Sequence, residues 1–169
     1  MRWELLFADL EARVDAAERA DLDVEIAERT RDERAGIELA GRLVHARGES
    51  VTVTVRGGAR VSGSIADAAG TWVLLATAGG DALVPLVAVA AIEGIGHRAS
   101  PLTHVETRLP VSSVLRELAE TRAAVLVETD GGAWQGRIAA VGSDHLDLDG
   151  PGGLRAIPLR AVLVVRARG

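Results

Sequence analysis

The sequence predicts an α+β chain: a long N-terminal α-helical arm followed by two tandem five-stranded β-barrels, each preceded by a helix. Three observations carry that expectation. The opening segment is built from helix formers with apolar residues every three or four positions. Past Gly48 the pattern switches to two-residue alternation broken by Gly-Gly turns. The β-rich segment then recurs 73 residues later. The expected layout is an arm over residues 1–38, a first barrel over 39–96, a linker over 97–111 and a second barrel over 112–169.

Residues 2–35 contain neither Gly nor Pro and are dense in Ala, Glu, Arg and Leu. Trp3, Leu6, Phe7, Leu10, Val14, Ala17 and Val24 keep helical spacing, while Glu11/Asp15/Arg19 and Glu25/Arg29 suit a solvated face. The stripe thins after Val24 and resumes at Ile37, Ala40, Leu43 and Val44. The arm therefore reads either as one helix of about 65–70 Å or as a hairpin broken near Asp21–Asp23. Its stripe needs a partner, so self-association as a coiled coil or hairpin is expected.

Val51-Thr52-Val53-Thr54-Val55 alternates strictly and ends at Gly57-Gly58, a hairpin signature. Val61–Ile65, Trp72–Leu75, a Gly79-Gly80 turn and Leu83–Ile92 with Pro85 complete four or five short strands. Laid over Ala124–Arg168 without a gap, Val51–Ile95 is identical at 11 of 45 positions. The matches include Gly58/Gly131, Gly63/Gly136 and Pro85/Pro158, residue types that turns, bends and unpaired strand positions select. Leu39–Ala46 leads into the first copy, and Val114–Leu118 into the second, with Ser112 or Ser113 as the expected N-cap.

Composition bounds the chemistry. The chain has 169 residues, 48% hydrophobic and 25% charged, which supports a folded core. There is no Cys, which excludes disulfide scaffolds, thiolate metal sites and cysteine nucleophiles. All 19 basic residues are Arg, and Lys, Asn and Tyr are missing as well, a bias that points to a G+C-rich genome. Arg here is correspondingly weaker evidence of phosphate binding. Net charge is −5, the wrong sign for gripping a polyanion over the whole surface. The longest apolar stretch, Ala82–Ile92, is too short to span a bilayer, so a cytoplasmic protein without a membrane segment is expected.

The residues Gly63-Ser64-Ile65 with Val73-Leu74-Leu75, and Gly136-Arg137-Ile138 with Leu146–Leu148, follow a helix and a first alternating strand. Val84–Val89 and Ile157–Val162 close each copy. This order resembles the Sm/LSm family, which includes bacterial Hfq, and shares its strand grammar with SH3-like barrels. The resemblance implies small bent barrels that associate through edge strands, within the chain or as a six-unit ring of three chains. The family's base-binding places fall on Ala69, Thr71 and Val73, and on Gly142, Asp144 and Leu146. Its later basic element falls on Leu83-Val84 and Ala156-Ile157. None of these keeps the family's residues, so base binding does not carry over.

Candidate chemistry is sparse. His145, Asp147 and Asp149 alternate with Leu146 and Leu148 and share one face if the segment is a strand; a solvated outer face explains them better than a metal. Gly94-Ile95-Gly96 leads into a Pro-containing linker, not the helix a dinucleotide fingerprint requires. Trp134 aligns with Val61 and is expected in the core. Arg155, Arg160, Arg166 and Arg168 give the C-terminal end a local positive cast and are the candidate nucleic-acid contacts. Residues 124–169 nevertheless balance five Arg against five acids. No catalytic set, metal site or cofactor motif emerges. The expected function is a non-catalytic, self-associating scaffold or adaptor, a homo-oligomer with a further protein partner. The alternative is an RNA-binding post-transcriptional regulator of Hfq type. A transcription-associated regulator ranks third, because residues 2–47 carry 12 acids against eight Arg and offer no basic recognition helix.

Overall fold

The computed structural model describes residues 37–167 and, before them, Ala16, Arg19, Ala20, Leu22–Val24, Ile26 and Ala27, which are helical and exposed. The chain divides into two compact units, Met1–Ile37 and Glu38–Gly169, and the second contains both β-rich copies.

Helix α1 (Leu39–His45) buries Ala40, Leu43 and Val44 against the strands that follow. Strand β1 (Ser50–Val55) realises the alternation: Val51, Val53 and Val55 are buried, and Thr52 and Thr54 face outward. It turns into β2 (Arg60–Ala69), which pairs with β3 (Trp72–Thr77), which pairs with β4 (Gly80–Pro85). A 3-10 turn, Leu86–Ala88, brings the chain back as β5 (Val89–Glu93), which lies beside β1. The linker region holds α2 (His104–Arg108), whose Thr103 and Glu106 form a capping box. The second copy runs through α3 (Val111–Glu120), β6 (Ala124–Thr129), β7 (Gly132–Val141), β8 (His145–Gly150), β9 (Gly153–Pro158), a 3-10 turn Leu159–Ala161 and β10 (Val162–Ala167).

All ten strands form one antiparallel sheet in the order β5-β1-β2-β3-β4-β10-β6-β7-β8-β9. Each half shows the same internal order, so the duplication read from the sequence is a duplication of pairing. Gly63 and Gly136 mark the same place in each copy. A Cβ on the first would strike the carbonyl oxygen of Ala76, and on the second that of Asp149, where each long strand crosses its neighbour. Pro85 and Pro158 end β4 and β9 with nearly the same backbone, φ −62° ψ 135° and φ −61° ψ 132°.

The ungapped match slips in the first strand of each copy. Val53 pairs with Val61 and Val127 with Trp134, so the β1-to-β6 offset is one residue longer than the offset elsewhere. The cause is the hairpin. Four residues, Arg56–Ala59, join β1 to β2, whereas Thr129 pairs directly with Gly132 across two. Gly58 sits at φ +87° in the longer turn, while in the shorter one Gly132, beside Gly131, takes the positive φ.

The expected pair of separate Sm-like five-stranded barrels is not what forms. Closing a barrel requires the two edge strands of a unit to pair with each other. Here, among the described residues, β5 pairs with β1 alone, and the outer edge of β4 pairs with β10 of the other copy: Leu83 with Val165, Ala82 with Arg166, Asp81 with Ala167. The cores are shared accordingly. Leu163 and Val164 of β10 pack with Leu43, Val53 and Ile65, whereas Ala69, Trp72 and Leu83 pack with Leu115, Val127 and Leu146.

The helical part of the expectation is corrected as well. The helices whose limits are described span seven, five and ten residues, so the described chain is mainly sheet and not a pair of barrels on a long helical arm. None reaches the three or four heptads that a coiled coil needs. Most of the arm assigned to 1–38 lies outside the described residues. Finally, α3 starts two or three residues earlier than expected: Pro110 occupies the N-cap in place of Ser112 or Ser113, and Ser112 is buried in the first turn.

Candidate functional site

A sheet built from two five-stranded units has four unit edges. Two are consumed in the β4–β10 joint, and among the described residues the other two, β5 and β9, have no strand beyond them. Their sequences explain why they form strands yet remain poorly protected. Edge β5 exposes Ala90, Ala91 and Glu93, and its Val89 and Ile92 are half-buried. Edge β9 buries Ile157 and exposes Leu154 and Ala156, with Arg155 between them. Each edge carries a single charge. Native edges are usually guarded by short length, charges or bulges, but β10 carries a bulge at Leu163 in the same place as the one at Ala90 of β5 and still pairs with β4.

The joint shows what such an edge does when it is satisfied. Leu83 is 3% exposed and Val165 2%, on facing strands. Trp72 lies beside them with its indole N–H donating to the Leu109 carbonyl at 3.0 Å, which satisfies its polar end within an apolar contact. Arg56 fastens the rim. Its Nη2 donates to the Arg160 carbonyl at 2.9 Å and lies 3.4 Å from Asp130, so the first hairpin is tied to the second copy. Its Nε is buried and has no partner. Nothing in the sequence singled out Arg56; its only signal was a charged residue directly before a Gly-Gly turn.

Of the four arginines proposed for nucleic acid, the three that are described stand on separate elements. Arg155 lies on β9 with its guanidinium 5.5 Å over the ring of Trp134, which is half-buried against the second core. Arg160 stands in the 3-10 turn. Arg166 lies on β10, inside the joint, with Nε donating to Glu128. Three strands, β6, β7 and β8, separate β10 from β9. Arg168 lies outside the described residues.

His145, Asp147 and Asp149 do alternate on β8 over the buried Leu146 and Leu148. His145 Nδ1 is 2.8 Å from Asp144 Oδ1. That hydrogen bond holds the Asp144 carboxyl below its ordinary range and raises the imidazole above its ordinary 6.5, with Asp147 adding a smaller pull. No group of three or more His, Cys, Asp or Glu among the described residues is placed to hold a metal ion. A second ionic tie fixes the linker: Arg47 contacts Glu106 of α2 at 2.6 Å and Asp67 of β2 at 2.8 Å. The capping hydrogen bond from the Thr103 amide, then Arg47, lowers Glu106, and the Glu106 hydrogen bond raises Arg47.

No described helix is long and apolar enough to cross a membrane. No family model matches the sequence, and no curated protein matches it either. The site is therefore defined by geometry: a satisfied edge joint inside the chain and two open edges at its ends.

Proposed function

We propose that this chain is a non-catalytic, self-associating scaffold that extends its sheet from one copy to the next through the edges β5 and β9. The observation that carries this is the β4–β10 joint, where the chain already adds one five-stranded unit to another edge to edge and buries Leu83 and Val165 in doing so. Edge β5 is the counterpart of β10, and edge β9 is the counterpart of β4. The two ends are thus different and complementary in kind. Such heterologous contacts generate rings or open filaments according to whether the rotation closes.

Sedimentation and light scattering on the full chain over a wide concentration range test the proposal. A mass that rises through multiples of the chain supports it, and a single-chain mass at every concentration overturns it. The scattered arginines do not favour the RNA alternative, because Arg166 is tied to Glu128 and Arg155 rests on Trp134. Titration of short U-rich and A-rich RNA at low and moderate salt distinguishes the two readings, since phosphate contacts weaken steeply with salt.

A further inference from the structure

Two surface clefts in this sheet are the same cleft in two states. One, about 210 Å³, is lined by Ala124, Val125 and Leu126 of β6, Gln135 of β7 and Arg166 of β10, and Gly79 of the other copy's β3–β4 turn closes it. The other, about 610 Å³, is lined by Ser50, Val51 and Thr52 of β1, by Ser62, Gly63 and Ser64 of β2, and by Glu93. The pairings identify them with each other. Val51 faces Gly63 as Val125 faces Gly136, and Thr52 faces Glu93 as Leu126 faces Arg166. The larger cleft differs in having no hairpin over it among the described residues.

Within the chain, the closing hairpin is β3–β4 with Gly79-Gly80 at its tip, and its counterpart is β8–β9 with Gly152-Gly153. We infer that the β5 cleft receives the β8–β9 hairpin of a second copy of this chain. This inference rests on the self-association proposed above and names its contact. The joint's register, carried to the outer edges, sets Ile92 opposite Ala156 and Glu93 opposite Arg155 of the other copy, and β5 ends there because Gly94 turns away at φ +88°. The charges agree with that register. At the inner joint the central pair is Arg166 with Ala82, whereas at the outer joint it is an acid facing a base. Opposite charges directly across antiparallel strands stabilise, and like charges destabilise. Glu93 lies 2.7 Å from Arg60, and a carboxylate has lone pairs enough to accept from two guanidiniums.

The outer joint is weaker than the inner one for a visible reason. Trp72, Leu74 and Leu83 of the inner face correspond to His145, Asp147 and Ala156 of the outer face. On the receiving side, the linker crosses α1, where Arg42 Nε donates to the Gly96 carbonyl at 2.8 Å and the Ser100 amide to the Gly41 carbonyl at 3.0 Å. The contact therefore rests on strand pairing, the hairpin tip and the Glu93–Arg155 pair, so association is concentration-dependent.

The chain lacks cysteine, so engineered pairs report without background. Full-length Glu93→Cys and Arg155→Cys variants are mixed and oxidised. Directly opposed strand residues lie within disulfide reach, so a cross-linked dimer is expected in the mixture and in neither variant alone. Separately, Arg155→Glu is expected to weaken self-association about fivefold, and adding Glu93→Arg to the same chain to restore it. Gly152→Trp, at an exposed turn of ordinary φ, is expected to abolish seating while leaving the circular dichroism of the chain unchanged. Self-association that proceeds without the mixed cross-link and ignores all three substitutions overturns the assigned contact and leaves the scaffold proposal standing. A chain that never associates overturns both.

Discussion

The inner and outer faces of the two β-units occupy the same places in the repeat and carry opposite chemistry. On the inner face Trp72 and Leu83 are 3% exposed and belong to the second copy's core. On the outer face their counterparts, His145 and Ala156, stand at least partly in water. One backbone plan is thus used once as a permanent junction and once as an open end, and the side chains at a few positions decide which. Substitution at these paired positions should be strongly asymmetric. Trp72→Ala is expected to lower stability by about 4 kcal/mol through cavity formation and the lost indole hydrogen bond, whereas His145→Ala changes chemical denaturation little. Equal losses at the two positions would mean that the joint contributes no more than an exposed edge.

Leu83→Ala is the next largest perturbation, at about 3 kcal/mol. Its side chain sits on β4 opposite Val165, so the lesion opens the junction itself. Hydrogen exchange should show β4 and β10 losing protection together, even though they lie far apart in the chain. Loosening of β4 with β10 unchanged would argue against a shared junction.

Arg56→Ala follows at about 1 kcal/mol, since its hydrogen bond to the Arg160 carbonyl is charge-assisted but the side chain remains partly in water. The loss sharpens the comparison, because the second hairpin has Thr129-Asp130 where the first has Arg56, and its outer end has no such clamp. Asp130→Ala should matter less than Arg56→Ala, because the 2.9 Å bond to the Arg160 carbonyl is retained while Asp130 sits at 3.4 Å. Thermal unfolding of the two variants gives the order.

Much of this was legible along the chain, and what was missed shares one physical cause. Gly63 and Gly136 stood out because close strand crossing excludes a Cβ, and Pro85 and Pro158 because they turn the chain out of a strand. Val51, Val53 and Val55 declared their face by alternation. These are local constraints. The partner of β4 is not local: β10 lies some eighty residues later, and the same short apolar strand reads alike whether it closes a barrel or joins a neighbour. The one-residue slip between β1 and β6 was hidden because Gly58 and Gly131 align by type while their turns differ in length. For the site, the His145 alternation was readable, but the three strands that stand between Arg155 and Arg166 were not.

The smallest effect concerns pH and distinguishes the two faces without disturbing either. Asp144 and His145 occupy the places of Thr71 and Trp72, so a titratable tie exists on the outer face alone. The imidazole is raised, so its contribution is complete below the ordinary histidine value of 6.5 and fades as pH rises through the higher folded value. The carboxyl is lowered, so its contribution is complete above its ordinary 3.8 and fades as pH falls through the lower folded value. The tie is therefore fullest between pH 3.8 and 6.5, and both groups are so exposed that its weight is slight. Proton NMR of the His145 ring should give a midpoint above 6.5, and Asp144→Asn should bring it down. Amide exchange in β8 and β9 should quicken as pH passes through that midpoint, after correction for intrinsic rates, while β3 and β4 show no such step. A step of equal size in both hairpins would place the titrating group elsewhere and remove this difference between the faces.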